Sequence, residues 1–115
     1  MEPVKISVYS LVGNSFCVSA EDGKRVYEKI KEALVQGKNV ELSFLNVELL
    51  TSAFLNTAVG MLYGDFSEDK IKSSLSLSSI SNDDKLLLKR VVDTAKTYYK
   101  DPERLNKTIE EILGE

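Results

Sequence analysis

Apolar and polar residues alternate from the start of the chain. Val4, Ile6 and Val8 stand against Lys5, Ser7 and Tyr9, the period of a half-buried strand. Gly13-Asn14 is a turn signal, and beyond it Phe16 and Val18 alternate with Cys17 and Ser19. The first twenty residues are therefore predicted to form a β-hairpin. From 21 to 36 the period lengthens: Val26, Ile30, Ala33 and Leu34 share one face, while Lys24, Glu28, Lys31 and Glu32 take the other. That is an amphipathic helix, stopped at Gly37. Val40 to Phe44 alternates again as a strand, followed by a short loop around Asn46 to Leu50.

The hydroxyl of Thr51 or Ser52 can cap a second helix running to about Tyr63, with Gly64 at its end. A short helical turn is expected from Ser67 to about Lys72, and a serine-rich strand at Leu75 to Ser78. Ser81-Asn82-Asp83-Asp84 resembles a capping box whose acids favour a helix N-terminus. Leu87, Leu88, Val91, Val92, Ala95, Tyr98 and Tyr99 supply that helix's apolar face. Asp101-Pro102 opens a last amphipathic helix at about 102–113, with Leu105, Ile109, Ile112 and Leu113. The order β-β-α-β-α-β-α-α implies an α/β fold, a mixed four-stranded sheet with helices packed on it. Residues 1–115 read as one domain, since no linker or repeat divides them.

The least ordinary segment is residues 52–63. On a wheel of ~100° per residue, Phe54, Leu55, Ala58, Val59, Met61 and Leu62 form a broad face for the sheet. The opposite face carries Ser52, Ala53, Asn56, Thr57, Gly60 and Tyr63, with no charge among them. A solvated helix face is usually dressed in Lys and Glu. A flat uncharged strip lets another surface approach at little side-chain entropy cost. The alternative is that the strip is buried under a later helix of the same chain.

Composition narrows the chemistry. The chain has no histidine and one cysteine, Cys17. Paired Cys/His zinc sites and Ser-His-Asp or Cys-His nucleophile systems are thereby excluded, as are internal disulfides. No phosphate-cradling glycine motif is present. Charges are interspersed, 15 Lys+Arg against 18 Asp+Glu, so there is no basic face for nucleic acid. No run is long enough to span a membrane, and the N-terminal residues lack the form of a secretory signal. A cytoplasmic, non-enzymatic protein without metal or cofactor is expected. Cys17 reads as a small filler, Asp83 and Asp84 as helix-start acids, and Tyr98 and Tyr99 as core packing rather than a base-stacking pair.

The sequence around the second helix carries a resemblance. Phe44, Val47, Thr51, Ser52, Phe54, Leu55, Asn56, Gly60 and Tyr63, in the order strand, F-x-x-V, then T-S-x-F-L-N at a helix start, resemble the STAS-like domain family of unknown function (DUF4325-type). The likeness extends over about residues 4 to 99. These proteins are related to anti-sigma-factor antagonists, in which an Asp-Ser-Ser-Gly motif at the same junction carries a serine phosphorylated by a partner ATPase of the histidine-kinase fold. The resemblance implies a STAS-like fold. Leu50-Thr51-Ser52-Ala53 lies where that motif would lie, with leucine for the acid and alanine for the glycine. Ser52, and beside it Thr51, become phosphoacceptor candidates. Ala53, Asn56, Thr57, Gly60 and Tyr63 become a docking face for a kinase- or ATPase-like regulator. Sensing of a small ligand such as a nucleotide is the rival expectation, and the last helix either packs on the domain or pairs with its copy in a homodimer.

Overall fold

The fold is seen in a computed structural model, whose described residues are 3–100. The helix expected at 102–113 lies outside them. Three strands, β1 (Val4–Ser7), β3 (Val40–Ser43) and β5 (Leu75–Ser78), form a parallel sheet in the order β1-β3-β5. A separate parallel pair joins β2 (Phe16–Cys17) to β4 (Leu49–Leu50). The architecture is thus α/β with two small parallel sheets, in place of the expected four-stranded mixed sheet.

The hairpin is absent because residues 8–12 form a helix, α1 (Val8–Val12). Val8, Leu11 and Val12 satisfy the i, i+3, i+4 spacing of a helix as well as Val8 satisfies the alternation of a strand. Ser7 settles the competition, since its side chain accepts the Ser10 N–H at 3.1 Å. Gly13 then closes the turn with φ 76°, donating its N–H to Tyr9 O. β2 consequently starts a new direction and finds β4, a segment the sequence pattern assigned to a loop.

The longer helix α2 (Ala20–Val35) starts at the Ser19 cap, with Glu21 and Asp22 in its first turn. It buries Val26, Ile30 and Leu34 against Val40 and Leu42 of β3 and Ile6 of β1. Residues 52–65 form one helical run: α3 (Ser52–Leu55), a π-helical turn (Asn56–Gly60) and α4 (Leu62–Asp65). This run fills the space between α2 and the last long helix, α6 (Asn82–Lys100). It contributes Phe54, Leu55, Val59 and Leu62, all essentially inaccessible, each worth roughly 1.5–3 kcal/mol on burial. Tyr27 of α2 donates its hydroxyl to Asp65, which also lies 3.6 Å from Lys31 Nζ. Burial, aided by that carboxylate, raises the Tyr27 pKa. A shorter helix, α5 (Glu68–Ser74), leads directly into β5.

The sheet has a polar side. Register aligns Lys5, Glu41 and Ser76 in one row and Ser7, Ser43 and Ser78 in another, on the face opposite Ile6, Val40 and Leu42. Ser78 Oγ donates to Glu41 at 3.0 Å, and Lys5 lies 4.0 Å from the same carboxylate. Among the described residues no helix is long and apolar enough to cross a membrane.

Glycine is demanded at one helix contact of this run and merely tolerated at another. A Cβ on Gly23 would lie 2.4 Å from the Phe54 carbonyl oxygen and 3.1 Å from Thr57 Cβ, whereas one on Gly60 would meet Ala95 and Val91 at 3.7 Å, an ordinary contact. Gly23→Ala should therefore cost roughly 1–3 kcal/mol through forced separation of α2 from α3. Gly60→Ala should be neutral or mildly stabilising. Urea unfolding of both variants checks the pair. Equal stability of Gly23→Ala and wild type would contradict so close an approach.

Candidate functional site

The junction between β4 and the 52–65 run separates the two candidate hydroxyls. Thr51 is the N-cap: its Oγ1 accepts the Phe54 N–H at 3.3 Å and donates to the Val18 carbonyl at 2.7 Å. Its backbone N–H donates to Cys17 O. Both roles of this hydroxyl are taken, and together they pin the helix start to the end of β2. Ser52, the first residue of α3, is exposed and has no side-chain hydrogen bond to the described residues.

The uncharged strip does not stay on one surface. Ala53 and Asn56 are exposed and Thr57 is half-buried, its hydroxyl donating back to the Ala53 carbonyl at 3.3 Å. Gly60, expected on the docking face, is buried beneath Val91 and Ala95 of α6. Tyr63 is half-buried, and burial raises its pKa. The cause is the π turn. Met61 N–H reaches back to Asn56 O at 3.1 Å, an i→i+5 bond. One extra residue in a turn rotates everything after it by roughly 100° relative to an unbroken α-helix. Tyr63, beyond the turn, therefore leaves the surface shared by Ser52, Ala53 and Asn56, while Gly60, the last residue of the turn, is covered by α6.

What the strip loses at one end is matched beside the other. Phe16 and Leu49, register partners in the β2–β4 pair, are 51% and 48% exposed. Val18 is also exposed, and its carbonyl holds Thr51. The opposite faces of the two strands, Cys17 and Leu50, are buried. An apolar patch thus borders the Ser52 lip, and exposed Glu48, whose carboxylate accepts the Ser15 hydroxyl proton at 2.9 Å, stands at its edge. The alternation of Phe16, Cys17 and Val18 was visible in the sequence. Its inward side was not, because a two-residue strand carries too few positions to fix a face.

The remaining candidates fall into place around this surface. Cys17 is fully buried, and burial, helped by nearby Asp22, pushes its thiol from the ordinary 9.0 up to about 11. Asp84 sits in the first turn of α6, its N–H donating to Ser81 Oγ at 3.2 Å. Tyr98 and Tyr99 stand edge to face with centroids 4.8 Å apart, and Tyr99 lies against Gly64. Both rings are more than one-third exposed, so they are not core residues as expected. A cavity of about 200 Å³ is lined by Asn56, Gly60, Thr94, Ala95 and the two tyrosines. Among the described residues no three His, Cys, Asp or Glu side chains gather to hold a metal ion.

Comparison with known families agrees with the segment that carries this geometry. Residues 22–85, more than half of the chain, match the family described as a STAS-like domain of unknown function (DUF4325). The match runs from the first turn of α2, through the 52–65 run, to the opening of α6. No curated protein and no solved structure matches the chain.

The state of Cys17 is directly measurable. The thiolate is the reactive form, so a buried thiol held near 11 should react with a disulfide reagent at pH 8 only slowly in the folded chain. Labelling should become fast and complete once denaturant exposes it. Rapid labelling of the native protein would show that Cys17 is not enclosed between β2 and the core.

Proposed function

The chain belongs to the STAS-like domain family, and we propose that it works as a non-enzymatic protein-interaction module whose docking surface is the Ser52 lip with its apolar border. The observation that carries this reading is the set of exposed, uncharged side chains at one junction: Phe16 and Leu49 on the strand pair, and Ser52, Ala53 and Asn56 on the helix whose start Thr51 ties to Val18. Exposed apolar groups beside small polar ones, with Glu48 at the rim, suit a protein–protein contact better than a solvated face. The partner class is a kinase- or ATPase-like regulator, as the relation of this family to anti-sigma-factor antagonists suggests. Ser52 is then the switch. Its hydroxyl is exposed, while that of Thr51 is engaged as both donor and acceptor. A phosphoryl group there adds about −1.5 to −2 charges at pH 7.

Affinity capture from the native host, quantified by mass spectrometry, tests both parts. A true binder should be depleted at least roughly tenfold, about 1.4 kcal/mol, by Asn56→Arg or Leu49→Glu, with Gly60→Ala as the control that leaves the surface intact. Ser52→Ala should retain it and Ser52→Asp should weaken it. Equal capture by all variants removes the docking surface. Loss with Asn56→Arg but indifference to Ser52→Asp keeps the surface and removes the switch.

A further inference from the structure

The sheet has two outer edges, and they are built differently. In a parallel ladder, alternate residues turn both backbone groups toward one neighbour. The Phe44 N–H bonds to Ser78 O, and the register pairs Ser43 with Ser78. Ser76 and Ser78 therefore face β3, and Leu75 and Leu77 turn their backbone groups outward. The Leu75 N–H is used by Ile71 O at the end of α5. The Leu75 carbonyl and the N–H and carbonyl of Leu77 have no backbone partner among the described residues. The edge of β1 is guarded by Pro3, which has no N–H, and by Lys5, whose side chain is 67% exposed. Proline and lysine are common means of keeping a stray strand off a sheet edge. Leu-Ser-Leu-Ser carries neither.

Beside this edge the molecule is hollow. α6 rests chiefly on α3, the π turn and α4, leaving a cavity of about 330 Å³ between itself and β5. Leu75 and Leu77 form one wall, Leu88 and Val92 the other, and Val59 and Ile71 also line it. This is the low end of the ~300–1,000 Å³ range of small-molecule sites, with room for an apolar side chain. Two cations also line the cavity, differently placed. Lys96 is paired with Glu68 at 2.8 Å, while Lys72 has no ion-pair partner among the described residues.

We propose that the groove between β5 and α6 is a second interaction surface, which takes an extended peptide of a partner protein as an added strand. Unpaired edge groups call for an extended backbone, because only a strand presents donors and acceptors at matching spacing. The cavity selects an apolar side chain on that strand, and Lys72 selects a neighbouring acidic one. The site is separate from the Ser52 lip, so either can fail without the other.

The test is selection of a random-peptide phage library on the immobilised full-length chain, followed by fluorescence anisotropy with the synthesised winners. The expected consensus is an apolar anchor with Asp or Glu close by. Leu77→Pro removes the outward N–H without touching the β3 ladder and should weaken binding at least roughly tenfold. Lys72→Glu should exchange the acidic preference for a basic one. Should Leu77→Pro fail to fold, amide exchange on the wild-type chain decides instead: the Leu77 N–H should become protected when the peptide is added. Absence of a consensus overturns the proposal, as does binding that leaves the Leu77 amide unprotected or is indifferent to Lys72→Glu. Concentration-dependent protection of that amide without peptide would also overturn it, since the edge would then be taken by a second copy of the chain.

Discussion

The close seat of the 52–65 helical run between α2 and α6 is the constraint on which the rest of this molecule depends. Gly23 lets α2 come so near that a single methyl group there would meet the Phe54 carbonyl oxygen. From the other side α6 lies over the π turn, where a Cβ on Gly60 would still fit, and its Tyr99 comes so close to Gly64 that a Cβ there would lie 2.6 Å from the ring. Between these contacts Phe54, Leu55, Val59 and Leu62 are driven fully into the core. Small residues in this segment therefore serve approach by helices of the same chain before they can serve any visitor. At the N-terminal part, Ser52, Ala53 and Asn56 stay exposed on the side away from that packing.

This explains which parts of the fold were legible in the sequence. α2, β3, β5 and α6 all carried their own local evidence: a regular apolar period, Ser81 at one start, Gly37 at a stop, although Ser19, read as strand, proved to be the cap of α2. The failures came where two readings fitted the same residues. Val8 suits a strand or a helix, and Ser7 bonding to the Ser10 N–H decided for the helix. Gly13-Asn14 was correctly a turn, but one that ends α1 instead of joining two strands. β2 and β4, two residues each, exist through non-local pairing, which no local pattern announces.

The candidate site divides in the same way. Its position at the strand-to-helix junction was readable from residues 44–63, and the family match includes that stretch. The sequence could not say which of Thr51 and Ser52 caps the helix. The answer came from the Val18 carbonyl, 33 positions away, which takes the Thr51 hydroxyl proton. Nor could it reveal the π turn, because an i→i+5 bond is imposed by packing. An unbroken wheel therefore placed Tyr63 on a surface it does not reach.

Charge placement gives the proposed switch a direction. Phe16, Val18, Leu49, Ser52, Ala53 and Asn56 include no lysine or arginine, so a phosphate at Ser52 would find no cation among them. Phosphoserine recruits partners chiefly by pairing with arginine clusters, and opposes them where it must be desolvated in an apolar contact. The Ser52 lip, bordered by Phe16 and Leu49, is of the second kind. The first-turn N–H groups of α3 could accept some of the charge, but such helix-end effects are worth about 0.3–1 kcal/mol at an exposed site. Stripping water from a dianion costs several kcal/mol. On this balance, the proposed modification would release a partner that docks through the apolar border, leaving the unmodified chain as the binding form.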